Sequence, residues 1–220
     1  MDIFLHATTT ARKLPLPLAR GPLLDVHRQG GAVISPAGGW LVATRYPHEP
    51  VHGANVLVDR SHQTVCEVNG AETGAALRSI CGEDVPPRTI FLGTRGEVYR
   101  LNSQRALLFG NWGPLPEDKV LDVTGGWASL ALWGPDVQTV LNKVATVDLR
   151  ESSLPCGKCL QGPLFGVVAV LGRIANRFEL HFAADSARFV WDVLLDAGGE
   201  FHLAPVGDDY YQRHAAVEGA

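Results

Sequence analysis

A chain of 220 residues and 23.7 kDa has room for one mixed domain or two half-size units, and it is long enough to bury a sizeable core. Its 46% hydrophobic and 19% charged residues exclude a disordered, collagen-like or coiled-coil chain. The 19 Lys and Arg against 23 Asp and Glu leave a net charge of −4, spread along the chain, which argues against a nucleic-acid partner. No apolar run approaches the roughly 20 residues that span a bilayer, and the longest, 163–171, reads as one buried strand. The first 20 residues carry Arg12, Lys13 and Arg20 without a continuous apolar stretch, so no secretory signal is read there. The expectation is a cytoplasmic protein with four free thiols and no membrane association.

An internal repeat organises the chain, because residues 59–85 recur at 122–149. Gly70 falls over Gly134, Leu77 over Leu141 and Asp84 over Asp148. Cys66/Val68 and Leu130/Leu132 alternate as half-buried strands do, and a glycine ends each. Thr73, Ala76, Leu77 and Ile80 then form a helical stripe, which Val137, Val140, Leu141 and Val144 repeat after Gly134-Pro135. The next strands are predicted over 89–93 and 97–101 in the first copy, and over 164–171 and 177–182 in the second. A helix follows over 186–197, sharing Ala187, Val190, Trp191 and Leu194 on one face, with Gly198 as its stop. A strand over 200–203 and a helix from Asp208 to about Val217 complete the chain. The predicted class is α+β, two related split βαβ units of ferredoxin-like pattern packed into one integrated domain. Its parts are an N-terminal arm (1–21), a first repeat unit (22–116) and a second unit with the C-terminal helix (117–220).

Against this frame, Leu24-Asp25-Val26-His27, Gly30-Gly31-Ala32, Gly39-Trp40, Tyr46 and Val58-Asp59-Arg60-Ser61-His62 together resemble the opening of the glycine-cleavage T-protein (aminomethyltransferase) family. The stretch from Leu121-Asp122-Val123-Thr124 through Trp133-Gly134-Pro135-Asp136 to Asp148-Leu149-Arg150 is similar to the gamma subunit of heterotetrameric sarcosine oxidase, of the same folate-binding superfamily. The resemblance implies a tetrahydrofolate-binding fold in which a one-carbon unit passes to pterin nitrogens without a metal. It also implies folate-facing positions at Asp59, Ser61, His62, Glu179 and Arg213. The chain departs from the pattern where the family carries its chemistry. The glycine-rich run that should end in aspartates is Leu92-Gly93-Thr94-Arg95-Gly96-Glu97, and of the segment whose first glutamate contacts the pterin only Phe178-Glu179 survives. Asp209 and Ala215 stand where the last helix should carry arginine and glutamate, and a fold without the C-terminal barrel is expected.

Other motifs read more plainly. Cys156-Gly157-Lys158-Cys159 has the C-x-x-C spacing of zinc ribbons but no second pair, so two loop thiols beside two core thiols, Cys66 and Cys81, are expected, with no metal. His6, His48 and His52 sit in the arm and a loop, and His27 and His62 are assigned loop or capping roles. Asp84 and Asp148 read as turn caps. Trp112, in the linker Gly110-Asn111-Trp112-Gly113-Pro114, and Tyr210 and Tyr211 on the last helix are the candidate interface anchors.

Three functions follow. The first is a non-catalytic accessory subunit of a flavin-dependent, folate-linked N-demethylating complex, partnered by larger flavoprotein subunits that carry FAD or FMN. The second is a minimal aminomethyltransferase or tetrahydrofolate-binding protein, and the third a folate-family scaffold with an unrelated partner. The first is favoured, with no catalytic residue and no tightly bound cofactor on this chain.

Overall fold

A computed structural model describes residues 17–50, 53–116, 118–175 and 177–215. His6, His52 and the last residues of the expected C-terminal helix lie outside them. The chain enters through β1 (Ala19–Arg20), α1 (Leu24–Gln29) and the hairpin β2 (Val33–Ala37) and β3 (Trp40–Arg45), with β1 parallel to β3 in a three-stranded sheet. β4 (Val56–Asp59) then opens the main sheet.

The first repeat unit is β5 (Val65–Asn69), α2 (Thr73–Cys81), β6 (Thr89–Gly93), β7 (Gly96–Arg100) and β8 (Arg105–Gly110), followed by the short β9 (Val120–Asp122). The second unit is β10 (Trp127–Trp133), α3 (Val137–Val144), β11 (Lys158–Leu164), β12 (Val167–Ile174) and β13 (Arg177–Ala183). After these come α4 (Ala187–Gly198), β14 (Ala204–Val206) and α5 (Asp208–Ala215). The eleven strands run in the order β14-β4-β10-β13-β12-β11-β6-β7-β8-β5-β9. Read outward from the β11/β6 joint, where Lys158 pairs with Thr89, the two units have the same strand order, β11-β12-β13-β10 and β6-β7-β8-β5. The sequence repeat is thus a structural one, an α+β domain with one more strand per unit than expected. Among the described residues no separate barrel follows it.

Two expected boundaries are corrected. Residues 163–171 are not one strand: Phe165 and Gly166 both take positive φ, 54° and 80°, and fold β11 back on β12. The expected strand over 200–203 is a 3-10 turn, Gly199–Phe201, and β14 begins only at Ala204, where it pairs parallel with β4. His202 leaves that turn in the left-handed region, and its N–H bonds Gly199 O.

Both helical stripes are buried as their spacing predicts: Thr73, Ala76 and Leu77 on α2, and Val137, Val140 and Leu141 on α3. α3 and α4 cover one face of the second unit, around Leu130, Leu132, Leu180 and Trp191. A separate cluster draws on both units, joining Ile90, Tyr99 and Phe109 to Cys159, Val170 and Ile174. At the start of α3 a Cβ on Gly134 (φ +129°) would meet the Ala54 carbonyl oxygen at 2.8 Å and Asn55 at 2.3 Å. That close approach lets the Asn55 amide accept from Asp136 N–H at 2.9 Å and donate to the Phe201 carbonyl at 2.8 Å.

Candidate functional site

The site is built on the alternation of strand residues. Asp59 and Ser61 point one way from the end of β4 and Arg60 between them points the other. On the first side Ser61 Oγ donates to Asp59 Oδ1 at 2.5 Å and accepts from Ser129 N–H at 3.1 Å. His27, 3% exposed on α1, donates from Nε2 to Asp59 Oδ2 at 2.8 Å, and its Nδ1 shares a 2.6 Å hydrogen bond with the Tyr46 hydroxyl. Burial works against the Asp59 anion, but the hydrogen bonds and charge of His27 and the bonds from Ser61 outweigh it and hold the carboxyl below its usual range. His27 is therefore a core residue joining α1 to β4, which corrects the loop or capping role expected of it. The serine hydroxyl bonds the aspartate and not the histidine, so the three residues are a structural clamp and not a nucleophile with its base.

On the other side lies a cavity of about 500 Å³. The β6/β7 turn, the end of β8, the β12/β13 turn and α5 surround it, so both units contribute. The turn is held close by glycine: a Cβ on Gly96 (φ +151°) would stand 2.0 Å from the Phe109 carbonyl oxygen, and one on Gly110 would stand 2.6 Å from that of Arg95. Arg60, Glu97, Arg177 and Tyr211 form the charged wall. Arg177 donates from Nη2 to Glu97 Oε1 at 3.0 Å and from Nε to Glu179 Oε1 at 2.8 Å. Arg60 donates to the Tyr211 hydroxyl and, at 3.3 Å, to the same Glu179 oxygen, with its guanidinium carbon 3.5 Å from the Tyr211 ring centre. Tyr99 donates to Glu97 Oε2 at 3.1 Å.

Glu179 is wholly buried behind this wall, opposite Ala131 on β10 and Gly172 on β12. Burial pushes its carboxyl up, against the pull of Arg60 and Arg177. Burial likewise raises Tyr211, which Glu179 pushes further in the same direction. His181, two residues along the same strand face, stacks on Phe109 at 3.8 Å and bonds Ser129 Oγ through Nδ1 at 3.0 Å. Burial holds His181 well below the ordinary histidine range, with Arg60 adding to the effect.

None of the five residues named from the sequence as folate-facing lines this cavity. Asp59, Ser61 and His62 turn toward α1, β10 and α5, with His62 Nε2 3.6 Å from Asp208. Arg213 is exposed on α5, 3.6 Å from Glu49. Glu179 lies one layer behind. Their neighbours Arg60, Gln63 and Gln212 reach the wall instead. Period two on β13 places Arg177 with Glu179, and the repeat brings Glu97 opposite them, a pairing no single strand announces.

The exposed aromatics expected at an interface are not exposed. Trp112 is 5% exposed, packed with Val98 and Leu108, and its Nε1–H donates to the Phe109 carbonyl at 3.2 Å. Tyr210 and Tyr211 are 4% and 5% exposed. Cys156 is exposed in a turn, as expected, but the other thiols differ from expectation: Cys66 and Cys81 are only half-buried, and Cys159 is a core residue of β11 whose pKa burial pushes up to about 12. Among the described residues no group of three or more His, Cys, Asp or Glu is placed to hold a metal. Asp148 caps its turn, accepting from Arg150 N–H at 3.0 Å and Ser153 Oγ at 2.6 Å.

The model of the GCVT N-terminal domain matches residues 102–212, half of the chain. The chain belongs to that family. The aminomethyltransferase of Desulforamulus reducens is 27% identical over 224 residues, 86% of this chain and 61% of its own length. That of Bacillus cytotoxicus is 28% identical over 227 residues, 87% and 62%. The chain thus spans about three fifths of the curated relatives it matches. Among solved structures, aminomethyltransferase T of the Bartonella henselae glycine cleavage system superposes with a TM-score of 0.68 at 20% identity, over 87% of this chain and 60% of that one. A chain of the heterotetrameric sarcosine oxidase from Corynebacterium gives 0.63 at 20% identity, over 83% of this chain and 96% of that one. The GCVT domain fold is common to all of these. No helix among the described residues is long and apolar enough to cross a membrane.

Proposed function

We propose that this GCVT-family chain is a non-catalytic accessory subunit of a flavin-dependent, folate-linked N-demethylating complex of sarcosine oxidase type. The observation that carries the reading is the wall of the 500 Å³ cavity, where Arg60 and Arg177 already hold Glu97 and Oε1 of Glu179. A pterin presents hydrogen-bond donors that need an available carboxylate, and transfer of a one-carbon unit needs a titratable group at the reacting nitrogen. Glu97, the one carboxylate on the wall among the described residues, is held by Arg177 on one oxygen and by Tyr99 on the other. Glu179 is sealed behind it by two arginines. This donor set does not fit a catalytic tetrahydrofolate site. The likeness in fold to a chain of the heterotetrameric sarcosine oxidase, at a TM-score of 0.63, supports the accessory role.

The test is co-expression with each large flavoprotein that its genome encodes near it. One yellow, co-eluting species on size exclusion is expected, and a colourless monomer that stays apart from every flavoprotein candidate overturns the reading. The second reading, a minimal aminomethyltransferase, draws on the 27% identity to such enzymes. Transfer of an aminomethyl carbon to tetrahydrofolate by the isolated chain, lost in Glu97→Gln, would establish it and overturn the first.

A further inference from the structure

The cavity carries one charge that the network does not balance. Three guanidiniums line it, those of Arg60, Arg95 and Arg177, against Glu97 on the wall and Glu179 behind. Arg60 and Arg177 are 7% and 5% exposed and are matched by those two carboxylates. Arg95, in the turn between β6 and β7, makes no ion pair among the described residues and gives one hydrogen bond, from Nη1 to the Trp112 carbonyl at 3.3 Å. A guanidinium has five N–H donors in a fixed fork that matches a carboxylate, so four remain to offer. Leu92, Phe109 and Ile174 supply apolar surface on the same cavity, and its volume is that of a small-molecule site.

We infer that this cavity binds a small molecule with an apolar body and a single carboxylate, and that Arg95 is the residue that receives the carboxylate. Three positive charges against two negative ones leave a surplus of one. A single carboxylate neutralises it, whereas a phosphate dianion would leave negative charge beside Glu97 in a partly desolvated site. The site is independent of the complex proposed above, since it uses a residue to which that reading gives no part.

Isothermal titration calorimetry of the full chain with benzoate, benzamide and phenyl phosphate tests this. Benzoate should bind at least tenfold tighter than benzamide, its uncharged isostere, and tighter than phenyl phosphate. Arg95→Gln should weaken benzoate at least tenfold without shifting the thermal midpoint, Arg95→Lys should weaken it less, and Arg188→Gln on the outer face of α4 should leave it unchanged. Should Arg95→Gln fail to fold, Arg95→Lys carries the test. Equal binding of benzoate and benzamide, tighter binding of phenyl phosphate, unchanged binding in the Arg95 variants, or no heat with any probe overturns the inference.

Discussion

Nε2 of His27 lies 2.8 Å from Oδ2 of Asp59, so a helix near the start of the described chain is tied to the first strand of the main sheet by one buried hydrogen bond. Its aspartate in turn holds Ser61, and Ser61 accepts from the backbone of β10. Three elements separated in sequence thus share one carboxylate. Leaving any member of such a chain unpartnered costs the desolvation of the group left behind.

Asp59→Asn should therefore destabilise the protein by about 1 to 3 kcal/mol at pH 7. The Asp59 pKa is lower in the folded protein than the roughly 3.9 of an unfolded chain. Its contribution is complete above that value and is lost as pH falls through the folded pKa. Urea denaturation at pH 7, 4 and 3 should show the gap between wild type and variant closing as pH falls. A gap that does not change with pH would show that the carboxylate charge plays no part.

His181 predicts a loss of the same sign, in a higher pH window. It is buried and held neutral, while an unfolded histidine takes up a proton near pH 6.5. Stability should be complete above that value and fall below it by up to about 1.4 kcal/mol per pH unit for this one group. His181→Phe should flatten the loss between pH 7 and 5, measured by denaturant midpoints. An unchanged slope would assign the acid sensitivity to other groups.

Trp112→Ala should act on stability, by about 3 to 5 kcal/mol, because it empties a packed site beside Leu108 and removes the donor to the Phe109 carbonyl. Trp112→Phe should cost far less, about 1 kcal/mol for the lost hydrogen bond. Thermal melting of both variants reads this directly. A wild-type melting curve for Trp112→Ala would mean that the tryptophan side chain is not held as described.

Gly96→Ala and Gly113→Ala form a matched pair. Both glycines have positive φ, but a Cβ at Gly113 meets nothing within 4 Å, whereas at Gly96 it meets the Phe109 carbonyl oxygen at 2.0 Å. Gly113→Ala should cost about 1 to 2 kcal/mol of backbone strain. Gly96→Ala adds a steric overlap that only movement of β7 against β8 relieves, about 3 kcal/mol or more. Equal melting temperatures for the two would show that the β6/β7 turn is free to shift.

Much of the fold is legible in the residues themselves. The spacing of Val137, Val140 and Leu141, and its echo at Thr73, Ala76 and Leu77, determines both helices, because a 3.6-residue period has only one face to bury. The recurrence of 59–85 at 122–149 determines that the chain is built twice. The turn at Phe165-Gly166 is hidden because an unbroken apolar run has no period to interrupt, and a non-glycine residue takes positive φ there only when the pairing of β11 with β12 holds it.

The site was decided by tertiary structure. Alternation shows that Asp59 and Arg60 face opposite ways but not which way meets the cavity, and the choice falls to Arg60 because His27 and Ser61 claim Asp59. Trp112 lies in a segment that reads as an open linker, yet packing against Val98 and Leu108 buries it. The pairing of Glu97 with Arg177, 80 residues apart, exists only because the two repeat units meet edge to edge at β6 and β11. Local sequence sets periodicity and turn chemistry, which act over a few residues. Which charges neutralise one another in a desolvated interior depends on distances between strands that only the folded sheet sets.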